Sequence, residues 1–235
     1  MILAIAIACS PLAAAKEAPL GPMQILQSAA ELLQKSNGFA VHVEKEFDVV
    51  QYDGVKVRHS GALDIEYREG LGLHVDYGDD LSAKQFWYDG KSATLLDTLS
   101  NIYVSVPAEG TVEQVLDAIE TRHDVKMPLA SILKKDIYAD AAAAVVRART
   151  LGIHDVDGVP CHHLLLQGEE EDWQVWIDAG KQPLFRKMVI DFRDLDGAPQ
   201  QTILLTDWDL NPKFSAKSFA AVLPKGAIRT EFVKK

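Results

Sequence analysis

Cysteine is nearly missing from this chain: Cys9 and Cys161 are its two in 235 residues. If Cys9 departs with an N-terminal leader, Cys161 has no partner. No intramolecular disulfide can then form, and an apolar core has to hold the fold, which this length permits. A basic stripe is also missing. With 34 acidic against 24 basic residues and a net charge of −10, the chain is poorly suited to nucleic acid, because phosphate binding needs clustered Lys and Arg. The same balance opposes adsorption to anionic headgroups. No apolar run is long enough to cross a bilayer as a helix.

Signatures of chemistry are lacking too. There is no HExxH, no paired CxxC and no calcium-loop spacing. No serine sits in a nucleophile elbow. His162 and His163 are adjacent on a strand pattern, so they face opposite ways and cannot chelate one ion together. Cys161 and His163 share a strand face but stand too far apart for a direct hydrogen bond. Cys161 therefore reads as a buried structural thiol. The acidic run Glu169 to Asp172 reads as a solvated turn. No metal, no cofactor and no enzymatic activity are expected.

What is present is a core-forming composition, 48% hydrophobic and 25% charged, with patterns that switch between two periods. Met1–Ala15 is apolar and uncharged and ends in Ala13-Ala14-Ala15, the small-residue pattern of a signal-peptidase site before Lys16. A signal peptide over 1–15 is expected. A rival cut lies at Ala6-Ile7-Ala8-Cys9, which loosely resembles a lipobox and would tether the protein through Cys9. Residues 16–235 are expected to form a single domain.

Gly21 to Lys35 reads as an amphipathic helix with Pro22 in its first turn; Ile25, Ala29, Leu32 and Leu33 are spaced along one face beside Leu26. Asn37-Gly38 is expected to stop it with a left-handed cap. Period two then takes over. Phe39, Val41, Val43, Phe47 and Val49 alternate with polar residues, and Tyr52-Asp53-Gly54-Val55 turns the chain. Val57, Leu63, Ile65 and Tyr67 return, with Gly61 suggesting a bend or bulge. Leu71 to Tyr77 alternates next, followed by short strands near 86–88, 94–96 and 102–106. The apolar residues Val41, Val43, Phe47, Leu63, Ile65 and Val75 are expected to face the helices, with Glu44 and Asp64 outside.

A helical insertion is expected over about 111–144. Thr111 and Gln114 suit a capping box ahead of the stripe Val112, Val115, Leu116, Ile119. Pro128 to Lys135 and Ala139 to Ala144 are further helical pieces. A meander resumes from Val145, with the pair Asp157-Gly158 as a tight turn. Trp173 shares a face with Val175 and Ile177 and reads as core. Trp176 faces the other way, under a helix or at a rim. Thr202 to Trp208 is a last long strand. In the tail, Phe219, Val222, Leu223 and Pro224 are expected to anchor. Strands do not alternate with helices, so doubly wound folds are disfavoured. The expected fold is mainly β, a large curved antiparallel sheet or unclosed β-barrel with helices on its concave face.

Several stretches carry a family likeness: Tyr88-Asp89-Gly90-Lys91, Asn101 to Pro107, Val159 to Leu164, Asp172 to Ile177, Pro183, Arg186 to Ile190, and Asp207-Trp208-Asp209-Leu210. Together they resemble a family of predicted periplasmic proteins of unassigned function, domain of unknown function 2092. That family is similar in fold to the periplasmic carriers and receptors of outer-membrane lipoproteins, unclosed barrels whose apolar concave face holds acyl chains beneath a helical lid. The resemblance implies a periplasmic, Gram-negative envelope location and a hydrophobic ligand such as a lipid or a lipoprotein acyl chain. The side chains expected to touch it are Val41, Val43, Phe47, Leu63, Ile65, Trp173, Val175, Met188 and Ile190. The alternative is an envelope scaffold that binds another protein, with its cavity filled by its own helices. A hydrolase ranks behind both.

Overall fold

The computed structural model describes residues 20–123, 129–134 and 136–231. The expected signal peptide over 1–15, Cys9, Pro128 and Lys135 lie outside the described residues.

Helix α1 (Pro22–Lys35) opens with Pro22, whose missing N–H costs nothing in a first turn. It buries Ile25, Leu26, Ala29, Ala30 and Leu33. The expected left-handed stop is not what ends it. Ser36 is extended, with φ −78° and ψ 121°, and the chain passes directly into the first strand at Gly38. Gly38 answers to space instead: a Cβ there would stand 2.5 Å from the Tyr67 carbonyl oxygen.

Twelve strands follow among the described residues: β1 (Gly38–Val50), β2 (Lys56–Arg68), β3 (Gly72–Asp79), β4 (Ala83–Tyr88), β5 (Ser92–Asp97), β6 (Ile102–Pro107), β7 (Arg147–Val156), β8 (Val159–Gln167), β9 (Glu171–Asp178), β10 (Phe185–Phe192), β11 (Gln200–Asp209) and β12 (Ile228–Arg229). Their order across one unclosed, curved sheet is β12-β6-β5-β4-β3-β2-β1-β11-β10-β9-β8-β7. Two meanders are therefore joined through β1 and β11. The antiparallel expectation holds for every pair but one. The two-residue β12 lies parallel to β6, making the sheet mixed.

Register decides the faces. Leu205, Val43 and Leu63 lie side by side, as do Val41, Ile65 and Val75. Both rows enter the main core together with the buried stripes of α1 and of α2 (Val112–His123). Glu44 and Asp64 are exposed on the other face, as expected, and Asp64 meets His42 at 2.6 Å. Phe47 departs from expectation. It has the right parity but lies outside the helix-covered core and stacks on His59. The reason is length. Thirteen strand residues span about 43 Å, whereas the fourteen of α1 span about 21 Å.

The capping box before α2 is reciprocal: Thr111 N–H donates to Gln114 Oε1 (2.9 Å) and Gln114 N–H to Thr111 Oγ1 (3.2 Å). A 3-10 turn (Ala130–Leu133) and α3 (Ile137–Ala144), capped by Asp136, complete the described part of the lid. In the tail a 3-10 turn (Ala216–Phe219) buries Phe219 completely. Val222 and Leu223 do not anchor; they are 73% and 36% exposed.

The outer edge of the sheet is β7. Its pairing with β8 shifts register between Thr150 and Gly152, and Gly152 has φ +114°, a conformation that favours glycine. Gly61, by contrast, makes no bulge; the β1–β2 ladder runs through it without a shift, and the β2–β3 ladder ends at it in register with Asp79.

Candidate functional site

The helix-facing side of the sheet carries a cleft of about 750 Å³ at the lid end. Leu33 of α1, Phe39 of β1, Tyr67 of β2, Leu71, Tyr88 of β4, and Val112, Ile132, Leu133 and Ile137 of the lid supply apolar walls. Phe39 is held between Tyr67 (5.5 Å) and Trp208 (5.4 Å), and Trp208 Nε1 is fixed by the Phe185 carbonyl. The Tyr88 hydroxyl donates to the Gly110 carbonyl at 2.6 Å and so ties the sheet to the start of α2. Burial raises the Tyr67 hydroxyl's pKa, and the carboxylates of Glu69 and Glu113 raise it further.

The nine side chains expected to touch a ligand do not line this cleft. Val41, Val43, Leu63, Ile65 and Val175 are buried in the core beneath the helices. Trp173, Met188 and Ile190 pack against that core partly buried, on the same side of the sheet. Phe47 lies beyond it. Sequence pattern separates inner from outer face, but the lining of a cleft depends on where the lid settles.

Further along the inner face is a buried polar cluster that the alternation conceals. Lys45 and Asp79 occupy positions where the parity calls for apolar residues, and that violation was the available signal. Their side chains are 10% and 4% exposed and 3.5 Å apart. Lys45 Nζ donates to the Tyr77 hydroxyl at 2.6 Å, and that hydroxyl donates to Asp79. The ammonium lies over the Phe47 and Tyr77 rings. Gly61 explains how they meet. It is paired with Lys45 on one side and Asp79 on the other. A Cβ there would come within 2.5 Å of the Asp79 Cβ. Burial lowers the Lys45 pKa, with Asp79 opposing. Burial alone would raise that of Asp79; the Tyr77 hydroxyl, the Leu81 and Ser82 amides and Lys45 outweigh it and hold the carboxyl below its usual range. Burial also raises the Tyr77 pKa.

The outer face has a groove of about 990 Å³, running from Ser60 and Asp80 across Glu44 and Thr202 to Trp176 and the β7 tip. Trp176 lies neither under a helix nor at a rim. It is buried with Val156, Cys161 and Val189 in a small outer core. His163 stacks on it at 3.9 Å. His154 and His163 share an Nδ1–Nδ1 hydrogen bond of 2.8 Å, and His163 Nε2 meets Gln174 Oε1 at 3.2 Å. If His163 Nε2 donates to that amide oxygen, its neutral ring must accept at Nδ1 from His154. Cys161 is fully buried, and its pKa is pushed up to about 11, by burial first and then Asp178. Among the described residues no three His, Cys, Asp or Glu side chains converge to hold a metal ion.

Burial lowers the His163 pKa from its ordinary 6.5, and the charges of His154 and Lys187 act in the same direction. Above that value both folded and unfolded chains keep the ring neutral. As pH falls below it, the unfolded chain takes a proton that the folded ring resists, so stability declines. Urea midpoints at pH 7.5 and 5.5 should therefore fall less on acidification for His163→Gln than for the native chain. Identical pH dependence would show that the ring contributes nothing.

An unclosed, curved β-sheet holding a helical lid over its apolar face defines the class of this protein. The arrangement is similar to that of lipoprotein LppX of Mycobacterium tuberculosis, at a TM-score of 0.50 and 12% identity over 83% of this chain and 97% of that one. Below that level lie LprF from Mycobacterium bovis (TM-score 0.49, 18% identity, 88% and 97% coverage) and a LolA superfamily protein from Nitrosomonas europaea (0.36, 12%, 86% and 99%). At such identities the likeness concerns the fold. No curated protein is similar enough to count as a match. The chain belongs to the family described as predicted periplasmic protein (DUF2092), whose model matches residues 22–233. The periplasm is accordingly its compartment. Among the described residues no helix is long and apolar enough to cross a membrane.

Proposed function

We propose that this is a non-enzymatic periplasmic binding protein that shelters the apolar part of a lipid, an acyl chain or a lipoprotein anchor. The observation that carries the reading is the cleft between lid and sheet. Its volume of about 750 Å³ falls within the range of small-molecule sites, and its apolar walls, Phe39, Leu71, Ile132 and Leu133 among them, alternate with polar groups such as Gln34, Glu69 and Lys134. Burying a chain there gains about 25 cal/mol per Å² of apolar surface before the costs of association. Val41, Val43, Leu63, Ile65 and Val175 serve as the floor beneath the helices, reached by a guest if the lid lifts. Trp173, Met188, Ile190 and Phe47 border that floor.

Protein purified from periplasm should release a fatty acid or phospholipid into organic solvent, seen by mass spectrometry. Leu71→Asp, at a partly buried position of the cleft wall, should abolish the bound lipid while leaving the fold intact, because a carboxylate would be buried beside the chain. Delipidated, folded protein that refuses every acyl probe at micromolar concentration would sink this reading. One observation favours a second. The five core residues just named are already covered by the protein's own helices, as in an envelope scaffold with a self-filled concavity. Refusal of lipid would promote it.

A further inference from the structure

We infer that the His154–His163 pair on the outer face is a binding site for divalent copper, separate from the lid cleft. The two histidines stand on neighbouring strands, β7 and β8, and their Nδ1 atoms meet at 2.8 Å. No local motif announces them, because the β7 bulge is what brings them to one face. Thr150 pairs with Leu164, and the shift that follows inserts one residue before Gly152. Beyond it His154 stands opposite Cys161, diagonal to His163 and on its side of the sheet. Without the extra residue His154 would fall opposite Pro160 and point to the inner face.

His163 is held as a metal ligand is held. It is buried, its ring stacks on Trp176 at 3.9 Å, and its Nε2 donates to Gln174 Oε1 at 3.2 Å. An imidazole that donates through one nitrogen offers a lone pair at the other, and an outer partner of this kind fixes both tautomer and ring orientation. His154 is the exposed, adjustable member and opens onto the outer groove. One proton bridges the two Nδ1 atoms; a metal ion replaces it as His154 moves that proton to its own Nε2. The spacing selects the ion. With metal–nitrogen bonds of about 2.0–2.1 Å, nitrogens 2.8 Å apart subtend about 84–89°. That is the cis angle of a tetragonal centre, the geometry of copper(II). Tetrahedral zinc would need its nitrogens about 3.3–3.4 Å apart. Among the described residues no third His, Cys, Asp or Glu joins the pair, so water completes the shell. Lys187, whose ammonium lies over the Trp176 ring, repels a cation, and Asp155 and Asp157 on the same groove wall offset it.

The test is titration of chelator-treated protein with copper(II) at neutral pH in a non-coordinating buffer. One ion per chain should bind at micromolar copper and quench the fluorescence of Trp176, against which the His163 ring lies. Electron paramagnetic resonance should show a tetragonal signal split by two imidazole nitrogens. Zinc(II) should bind more weakly by about tenfold or more. His154→Gln changes an exposed residue, so the fold should survive while the two-nitrogen splitting disappears. Gln174→Leu should weaken copper by about 10–100-fold, the usual cost of losing such an orienting partner, and Gln174→Glu, which keeps the acceptor, should not. His162→Gln, on the inner side beside Ile177, should change nothing. Copper held equally well by His154→Gln would overturn the assignment by placing the ion on other donors. Zinc bound as tightly as copper would overturn it too, since the spacing would then select nothing. Folded protein that ignores micromolar copper would overturn it outright. Each of these outcomes leaves the lipid reading of the lid cleft untouched.

Discussion

Asp79→Leu should cost the fold roughly 3–5 kcal/mol, the order for removing one partner of a buried ion pair. The measurement is a lowered urea midpoint with an unchanged slope. The magnitude follows from what the carboxylate holds. It accepts from the Tyr77 hydroxyl, from the Leu81 and Ser82 amides and from the Ser82 hydroxyl, and it faces the Lys45 ammonium. Removing it leaves an ammonium in an apolar wall with one phenol oxygen for company. Lys45→Met should cost less, on the order of 1–3 kcal/mol, because Asp79 keeps its hydroxyl and amide donors. The two changes together should restore much of the loss, since an apolar pair of similar volume often replaces a buried ion pair without penalty. Costs that simply add, with no favourable coupling, would mean the pair does not interact as its geometry implies.

Phe219→Ala should be nearly as damaging, at about 3–5 kcal/mol for a fully buried aromatic. Phe219 stands on a single 3-10 turn in an otherwise irregular tail. It packs edge-on to Phe214 and lies where a Cβ on Gly72 would stand, 2.9 Å from its own Cβ. Beyond it the chain reaches back to pair β12 with β6 through Ile228 and Arg229 alone. Two residues of strand cannot hold a tail by themselves. The variant should therefore be cut by trypsin after Lys225 and Arg229 far faster than the native chain. A denaturation midpoint changed by less than about 0.5 kcal/mol would place Phe219 among ordinary surface positions.

Features set by neighbours in sequence were legible beforehand. The hairpins at Gly54, Gly90 and Gly158 are announced by turn residues, and all three glycines have positive φ. The opposed faces of His162 and His163 follow from period two; His162 pairs with Ile177 on the inner side and His163 with Trp176 on the outer. The α2 stripe is read directly from spacing. Features set by distant partners were not legible. Nothing near Val43 announces that Leu205 will stand beside it, so the junction of the two meanders lay hidden. Gly38 and Gly61 look like a cap and a bulge because local sequence offers those roles to glycine. Both are in fact small because another strand comes close. Lys45 and Asp79 break the alternation in two separate strands, and only the register through Gly61 makes them a pair. The cleft was the least legible of all, since its walls come from five segments whose mutual placement no local pattern encodes.

The bulge at Gly152 has a bearing on life in a crowded compartment. An unclosed sheet has a free margin, and the ten residues of β7 are long enough to recruit a foreign strand, as amyloid-forming edges do. Ahead of the shift Ala148 pairs with the inward Leu166; beyond it His154 pairs with the outward Cys161. A straight strand laid along this margin could match its greasy side to one half only, and its other half would present the wrong face. The kink therefore acts as a guard against templated aggregation, built into the backbone at the cost of a single glycine.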